Sequence, residues 1–287
     1  MFVTGAGGFI GRHLVARLVA RGATVTAASW RLPRTATARR PLAAAEPVEL
    51  DVRSKAQVRR ALYAARPEII FHLAAIGVTD PSLAIRAALR VNVEGTVNVL
   101  EGAPPDARVI LARTPNERSG LNVYGASKAA AWAFGRMFAA SQGIRVCGAM
   151  IFHCYGPGQS ERNVLPAALQ AARSGADFPM SPGEQVRDWI YVEDVVDGLL
   201  ETAVADLDPG ATVELGTGVG TPLGEVVRRV YECTPGSGRP LPGRLPYRPG
   251  EAMQVVADAD ATYTRLGWRA RVALADGIER FVRTHGK

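Results

Sequence analysis

The residues best suited to chemistry in this chain are a tyrosine and a lysine in the segment NVYGASKAA, residues 122–130. Tyr124 and Lys128 are four positions apart, which on a helix places both side chains on one face. An adjacent ammonium group favours the phenolate, so the pair can pass a proton to or from a substrate oxygen. The chain contains only three lysines, and a compact ammonium group suits this task better than a planar guanidinium. The alternative is a solvated helix surface.

The composition limits the possible classes of protein. A length of 287 residues allows one large domain or two small ones. No apolar run reaches the roughly 18–20 residues of a membrane span, and we expect no signal peptide. The cysteines, Cys147, Cys154 and Cys233, are odd in number and lack CxxC spacing, which favours a reducing compartment, the cytoplasm. The four histidines are scattered, so we expect no metal site.

The net charge of +7 has two interpretations. A nucleic-acid-binding surface would show clustered basic residues with interleaved aromatics, whereas the arginines here are spread along the chain apart from a run in Arg31–Arg40. Small polyanions, such as the phosphates of a cofactor and a substrate, fit this distribution better. We therefore expect no nucleic-acid partner.

The N-terminal segment has the pattern of a strand, a tight turn, a helix and a second strand. Gly5, Gly8 and Gly11 follow the apolar start Phe2–Thr4, and an apolar helical stripe with Gly22 at its end comes next. Glycine permits the sharp turn, the close approach of a diphosphate, and tight packing of helix on sheet. The helix start then favours an anion. In this context the triplet predicts dinucleotide binding, with a plain structural turn as the alternative.

Together these motifs resemble the extended short-chain dehydrogenase/reductase family, which comprises nucleotide-sugar epimerases, dehydratases and ketoreductases. The resemblance covers nearly the whole chain and rests on VTGAGGFIGRHLV, FHLAA, VNVEGT, YGASK, YGPGQ, QVRDWIYVEDVV and RPGEAMQVVADADATYTRLGW. It implies an α/β fold: a Rossmann-type, doubly wound parallel sheet with a smaller C-terminal lobe. We expect residues 1–151 and about 185–205 in the cofactor-binding domain, and 152–184 and 206–287 in the substrate-binding lobe.

The end of the second predicted strand bears on the choice of cofactor. A carboxylate there would bind the adenine-ribose hydroxyl of NAD, but the chain has Ser29 followed by Arg31 and Arg34. A hydroxyl and guanidinium groups suit a 2′-phosphate, so we expect NADP(H) in preference to NAD(H); a solvated basic loop is the alternative. The resemblance implies further cofactor contacts from Gly5, Gly8, Phe9, Ile10, Asp51, Val52, Leu73, Ala74, Ala75, Asn92, Tyr124 and Lys128.

The resemblance also implies a third catalytic residue, a hydroxyl just past the fifth strand that hydrogen-bonds the substrate oxygen. Thr114 has the matching position, after the predicted strand Val109–Ala112. Family members separate this hydroxyl from the tyrosine by a much longer loop. The short connection still spans about 33 Å when extended, so the two side chains can meet. Ser119 is the fallback for this role.

The segment after residue 151 is rich in Gly and Pro, and the resemblance places the substrate contacts there. His153 stands where relatives usually have an asparagine that contacts the sugar nucleotide, with a buried structural histidine as the alternative. Asn163 and Leu165 begin a helix that resembles the one binding the nucleotide base. Arg187 and Arg248 match two arginines that clamp the substrate diphosphate, a strong charge-assisted arrangement.

The family performs several reactions, so the fold alone does not decide among them. The sequence after Thr114 lacks the Asp-Glu pair that a 4,6-dehydratase would carry. A C4 epimerase generally prefers NAD, which the strand end disfavours. We therefore expect an NADPH-dependent 4-ketoreductase acting on a nucleotide-activated 4-keto-6-deoxyhexose in deoxysugar biosynthesis. The alternatives are a nucleotide-sugar epimerase and a catalytically silent NADP-binding regulator. The resemblance also implies a homodimer.

Overall fold

The computed structural model describes residues 1–31, 44–78 and 80–286. A central sheet contains seven strands: β1 (Phe2–Thr4), β2 (Thr26–Ser29), β3 (Glu46–Glu49), β4 (Ile69–His72), β5 (Arg108–Arg113), β6 (Arg145–Ile151) and β10 (Thr212–Leu215). Their order is β10-β6-β5-β4-β1-β2-β3. The interior strand β1 pairs in parallel with both β2 and β4. The predicted doubly wound α/β fold is therefore confirmed.

This strand order creates a switch point at β1. The chain runs outward from β1 to β3, then returns to the other side of β1 as β4. Ligands of open α/β sheets bind outside the carboxyl ends of the strands at such a point. The glycine turn after β1 and the segment after β4 lie at this end.

The helices are α1 (Phe9–Ala20), α2 (Lys55–Ala65), α3 (Ile85–Ala88), α4 (Gly95–Gly102), α5 (Val123–Gln142), α6 (Val164–Arg173), α7 (Val192–Val204), α8 (Leu223–Glu232), α9 (Ala259–Leu266) and α10 (Leu274–Thr284). A π-helical segment, Leu89–Glu94, joins α3 to α4, and a 3₁₀ turn, Pro115–Glu117, follows β5. Helix α5 begins where the Asn122 side chain accepts a hydrogen bond from the Gly125 nitrogen, and it ends at Gly143 with φ of +67°.

The chain divides into two compact units, residues 1–151 with 196–213 and residues 152–195 with 214–287. A core of strand and helix residues stabilises the first unit, with Phe2, Ile70, Val109, Trp132 and Val146 among its buried members. Burying each such large side chain contributes about 1.5–3 kcal/mol.

The second unit has its own sheet and core. Its strands are β7 (His153–Tyr155), β8 (Phe178–Pro179), β9 (Val186–Tyr191), β11 (Gly220–Pro222), β12 (Pro240–Leu241) and β13 (Gln254–Val255). We expected residues 185–205 in the first unit, but β9 belongs to the second because it pairs with β7, β11 and β13. Tyr155, Leu165, Trp189 and Phe281 are among the residues of its core.

Within residues 1–31, 44–78 and 80–286, no helix has both the length and the apolar character of a membrane span. In the same part of the chain, no three His, Cys, Asp or Glu side chains are grouped so as to hold a metal ion.

Candidate active site

The glycine turn connects β1 to α1 through backbone that only glycine accommodates. Gly5 has φ of +66°, and a Cβ there would lie 2.8 Å from the Ala74 nitrogen. A Cβ on Gly11 would lie 2.2 Å from the Gly5 carbonyl oxygen. Helix α1 begins at Phe9, directly after Gly8, and its first N–H groups have no partners within their own helix. The turn therefore fits the diphosphate of a dinucleotide.

A buried histidine ties the ends of β1 and β4 together. His72 Nδ1 lies 2.7 Å from the Thr4 hydroxyl, which accepts a hydrogen bond from the Ala74 nitrogen. His72 Nε2 lies 3.0 Å from the Thr96 hydroxyl, which donates to the Asn92 carbonyl. These contacts require a neutral ring with the proton on Nε2. Burial lowers the pKa of His72 to about 3, in agreement with that state. This residue supports the segment Leu73–Ala75 beside the glycine turn, and our sequence analysis assigned it no role.

Asn92 lies within the π-helical segment and is completely buried. Its amide nitrogen donates to the Ile76 carbonyl and the Ser127 hydroxyl, and its oxygen accepts from the Ile76 nitrogen. Ser127 in turn donates to the Tyr124 carbonyl. We expected a cofactor contact from Asn92, but these bonds occupy its side chain. It joins the segment after β4 to the helix that carries Tyr124.

Ser29 ends β2 but does not present its hydroxyl to solvent. The side chain is buried, and its oxygen accepts a hydrogen bond of 2.7 Å from the Gly7 nitrogen. The expected 2′-phosphate contact is therefore replaced by support of the glycine turn. Arg34, the other predicted contact after Arg31, lies outside the described residues.

Two arginines and a tryptophan form a cluster at the ends of β2 and β3. The guanidinium carbons of Arg31 and Arg53 lie 4.5 and 5.8 Å from the Trp30 ring centroid, and Trp30 is 59% exposed. Arg53 also binds both carboxylate oxygens of Asp51, which lowers the pKa of that carboxyl group. The negative charge of Asp51, which we predicted beside the adenine, is thus balanced by the charge of Arg53. Sequence reasoning missed Arg53, although it stands two positions after Asp51.

Thr114, Tyr124 and Lys128 come together in the first unit. Thr114 follows β5 and is buried, and its hydroxyl lies close enough to the Tyr124 phenol to lower the pKa of that phenol. Tyr124 and Lys128 lie one turn apart on α5, and Lys128 is only 5% exposed. The fallback residue Ser119 is exposed and donates to the Asn116 carbonyl. Thr114 is therefore the hydroxyl adjacent to Tyr124.

The environment of these groups favours a protonated phenol. Burial raises the pKa of Tyr124, the negative charge of Glu117 raises it further, and the Thr114 hydrogen bond opposes both. Our sequence analysis predicted a lowered Tyr124 pKa because of Lys128, but in the chain by itself burial dominates. Burial also lowers the pKa of Lys128 to about 8, with Glu117 opposing and Arg113 adding to the effect. At neutral pH the site holds a phenol next to an ammonium group.

The ion pair between Arg113 and Glu117, on either side of Thr114 in the chain, was also not predicted from the sequence. Both Nε and Nη2 of Arg113 bind Glu117 Oε2, at 2.9 and 2.7 Å. The two side chains are 12% and 3% exposed. They are four positions apart, but one is on a strand and the other in a 3₁₀ turn. The helical spacing rule therefore does not predict their contact.

The second unit contains the predicted diphosphate arginines. Arg187 is buried on β9, where it pairs with the Glu251 carboxylate and donates to the Val186 carbonyl at 2.8 Å. Arg248 is exposed in the turn that leads to Glu251. This unit therefore offers one buried, ion-paired guanidinium and one accessible guanidinium.

His153 lies on β7 next to Trp189, with ring centroids 4.5 Å apart in an edge-to-face arrangement. His153 is exposed. Desolvation, with the charge of Arg187 as a second cause, lowers the pKa of His153 to about 4. A neutral imidazole at neutral pH can donate or accept a hydrogen bond.

The two residues predicted to contact the nucleotide base, Leu165 and Asn163, lie in different surroundings. Leu165 is 1% exposed and packs in the core of the second unit. Its side chain therefore does not reach a ligand, because the apolar face of α6 turns inward. Asn163 precedes α6, and its amide nitrogen donates to the Ser160 carbonyl at 3.1 Å.

Comparison with known proteins identifies the class. Residues 1–216 match the model of the NAD dependent epimerase/dehydratase family. The chain belongs to this family, so the resemblance to the extended short-chain dehydrogenase/reductases is confirmed.

Particular relatives cover almost the whole chain. A UDP-glucose 4-epimerase of Mycolicibacterium smegmatis is 30% identical, over 98% of this chain and 96% of its own length. UDP-glucose 4-epimerase 3 of Oryza sativa subsp. japonica is 29% identical, over 96% of this chain and 87% of its own. The structure of DesIV, a dTDP-glucose 4,6-dehydratase from Streptomyces venezuelae with NAD and TYD bound, superposes with a TM-score of 0.86 at 25% identity, covering 98% of this chain and 95% of that chain.

Proposed function

We propose that this protein is an NADPH-dependent reductase of the C4 carbonyl of a nucleotide-activated 4-keto-6-deoxyhexose. Family membership supports a nicotinamide cofactor, and the relatives' names support a nucleotide-sugar substrate. The observation that carries the direction of the reaction is the buried Glu117 carboxylate, whose charge favours the protonated form of Tyr124. Reduction of a ketone requires a phenol that donates a proton, whereas epimerisation begins with a phenolate that removes one.

In this proposal the bound cofactor supplies the hydride. Tyr124 donates a proton to the C4 oxygen, and Thr114 donates a hydrogen bond to the same oxygen. Lys128 binds the ribose hydroxyls of the cofactor and orients it. Its ammonium group is mostly charged at neutral pH, since its pKa is about 8.

The preference for NADPH has support from the ends of β2 and β3. No carboxylate follows β2 there; Ser29, Trp30 and Arg31 stand at that position. Arg53 adds a second guanidinium beside Trp30 and neutralises Asp51. Two cations around an aromatic ring suit a 2′-phosphate, because charge-assisted hydrogen bonds to phosphate are strong.

The substrate diphosphate would bind to the second unit. Arg187 is held by Glu251, and Arg248 remains accessible. A diphosphate brought to these groups gains two guanidinium partners. The neutral His153 is available to hydrogen-bond a sugar or phosphate oxygen.

The test is to mix the protein with NADPH and a panel of nucleoside diphosphate 4-keto-6-deoxyglucoses and to follow the absorbance of reduced nicotinamide. We expect stoichiometric loss of NADPH with one nucleotide. Tyr124→Phe should lower kcat by about 10²–10⁴-fold, whereas the control Tyr63→Phe, at a 74% exposed residue, should not. Absence of NADPH loss across the panel would overturn the reductase assignment.

A second candidate is a nucleotide-sugar epimerase, which the names of two relatives favour. An epimerase would retain tightly bound NAD(H) through purification and would isomerise the sugar with no net loss of cofactor. A protein that binds NADP(H) but converts neither type of sugar would be the silent regulator.

We also propose a homodimer formed through α5 and the helix that begins at Ile85. Ile85 on that helix, Leu89 on the π-helical segment that follows it, and Phe134 and Met137 on α5 are exposed apolar side chains. Light scattering coupled to gel filtration should give a mass of two chains. A Phe134→Glu/Met137→Glu variant should shift this mass to that of one chain.

A further inference from the structure

The Arg113 guanidinium makes further contacts beyond its ion pair with Glu117. Besides binding Glu117, Arg113 donates to the Thr212 hydroxyl at 2.6 Å and stacks at 4.3 Å on the Trp132 ring. The stacked guanidinium, which donates these three hydrogen bonds, cannot rotate freely. It therefore fixes the position of the Glu117 carboxylate.

That carboxylate holds the residue next to it in the site. Glu117 Oε1 accepts a hydrogen bond of 3.0 Å from the Thr114 nitrogen, while its Oε2 is held by Arg113. The Thr114 nitrogen is in turn one residue from the strand that carries Arg113. The backbone of Thr114 is thus fixed from two sides, and its hydroxyl accepts a hydrogen bond from the Asn116 nitrogen at 3.4 Å in the same turn, which holds the hydroxyl near the Tyr124 phenol.

The turn also packs directly on the helix that carries Tyr124. A Cβ on Gly125 would lie 2.4 Å from the Asn116 carbonyl oxygen. Only the short segment between Thr114 and Tyr124 connects the two groups, so a shift of the turn displaces Thr114 relative to the phenol.

We propose that Arg113 and Glu117 are positioning residues that act as one unit to hold the Thr114 hydroxyl against Tyr124. The assay of this role by turnover rests on the proposed reductase function. Hydrogen exchange and an NMR titration test the role without turnover.

The charge of the pair has a second consequence. The charged and titratable groups around the Tyr124 phenol are Glu117 on the 3₁₀ turn, Lys128 on α5 and Arg113 on β5, with His72 on β4 beside Lys128. Of these, Glu117 acts directly on Tyr124 and raises its pKa. Removal of its charge should therefore bring the Tyr124 titration to lower pH.

The first experiment measures hydrogen exchange at the Thr114 amide in two double variants. Arg113→Met/Glu117→Gln and Arg113→Met/Glu117→Met both remove the two charges together, which avoids an unpaired buried charge. Only glutamine keeps an acceptor for the Thr114 N–H. We expect slow exchange with glutamine and exchange at least about tenfold faster with methionine, since one hydrogen bond contributes about 1.5 kcal/mol. Equal exchange rates in the two would overturn the positioning role.

The second experiment follows the tyrosine ring signals by NMR in protein labelled with ¹³C at the tyrosine ζ carbon, assigned with Tyr124→Phe. In Arg113→Met/Glu117→Gln the Tyr124 midpoint should fall by about one pH unit, roughly tenfold in phenolate fraction. The control is Glu225→Gln, which removes the carboxylate charge from a partly exposed Arg–Glu pair of the same spacing on α8. An unchanged midpoint in the double variant would overturn the role of the charge.

Turnover provides the third readout. If a 4-keto sugar is reduced, kcat should fall at least about tenfold more in the methionine double variant than in the glutamine one, with KM unchanged, because only the acceptor for Thr114 differs. Equal kcat values would contradict the proposal. If the wild-type protein reduces no sugar, the reductase assignment fails, and exchange and NMR still decide the role of the pair.

Discussion

The Ser29 hydroxyl accepts a hydrogen bond of 2.7 Å from the backbone nitrogen of Gly7, so the end of β2 supports the glycine turn. A Cβ on Gly7 would lie 3.1 Å from the same hydroxyl oxygen, which shows how closely the two approach. Because this contact engages Ser29, we propose that a preference for NADPH over NADH would depend on the neighbouring guanidinium groups. Of the residues described, Arg31 and Arg53 are placed for it by their contacts with Trp30.

Replacement of Arg53 by Ala should weaken NADPH binding about tenfold to a hundredfold, since a charge-assisted hydrogen bond contributes about 1.5–3 kcal/mol. NADH binding should change little, because NADH lacks the 2′-phosphate. Isothermal titration calorimetry with each cofactor measures both. Arg59→Ala, at an exposed arginine on α2, is the control. An equal loss of affinity for the two cofactors would show that Arg53 does not read the phosphate.

Much of the central fold follows from local sequence pattern. The glycine turn lies between a strand and a helix as predicted, and the predicted strand Val109–Ala112 corresponds to β5 within one residue at each end. The spacing of the apolar residues and the residue types at the turns carry that information. The Thr114–Tyr124–Lys128 grouping was predicted by resemblance to a family, because spacing alone does not bring the end of β5 to α5.

The contacts that sequence reasoning missed depend on three-dimensional packing. The pairing of Arg113 with Glu117 requires the 3₁₀ turn, and Arg53 meets Trp30 only because β2 and β3 are neighbours. Leu165 was placed in the substrate site by its motif position, while the amphipathic face of α6 buries it. A family motif fixes position along the chain, and burial then decides which side chains reach a ligand.

Replacement of Lys128 by Met should stabilise the protein while it weakens cofactor binding. Burial holds the Lys128 pKa at about 8, below the unfolded value of about 10.4. The folded state therefore disfavours the charged lysine, which lowers the free energy of unfolding. This loss of stability is complete below pH 8 and disappears as pH rises from 8 to about 10.4. At pH 7 the variant should gain about 1–3 kcal/mol in free energy of unfolding.

Urea unfolding at pH 7 and pH 9.5 measures this gain, which should shrink at the higher pH. The control is Lys55→Met, because the Lys55 side chain is 63% exposed and pairs with Glu101; such a surface pair contributes about 1 kcal/mol or less. A Lys128 variant that is less stable than the wild type at pH 7 would contradict the prediction.

Replacement of Gly125 by Ala should destabilise the first unit by about 1–3 kcal/mol, because the added methyl group overlaps the Asn116 carbonyl oxygen, 2.4 Å away. The turn must then move, and Thr114 moves with it. Thermal unfolding gives the loss of stability. The control is Gly224→Ala on α8, where the added Cβ would be 3.4 Å from its nearest neighbour and helix propensity favours alanine. Equal effects of the two substitutions would show that the packing of turn on helix is loose.

The last prediction concerns acid stability and His72. Its folded pKa is about 3, against an ordinary value of 6.5, so between these values the unfolded chain binds more protons than the folded one. Stability from this group is complete above about pH 6.5 and is lost as pH falls toward 3, by up to about 1.4 kcal/mol per pH unit. His72→Gln should be less stable by about 1–3 kcal/mol at pH 7, since it disturbs two buried hydrogen bonds.

The same variant should approach the wild type in stability as pH falls, because glutamine does not titrate. Chemical unfolding of both proteins at pH 7, 5.5 and 4.5 gives the difference, in which the carboxylates common to both cancel. In the folded protein the ring stays neutral at pH 4.5, since its pKa is about 3, so the change in the difference arises from protonation of the unfolded chain. A stability difference that stays constant from pH 7 to 4.5 would show that His72 has the same pKa in the folded and the unfolded protein, and would contradict the prediction.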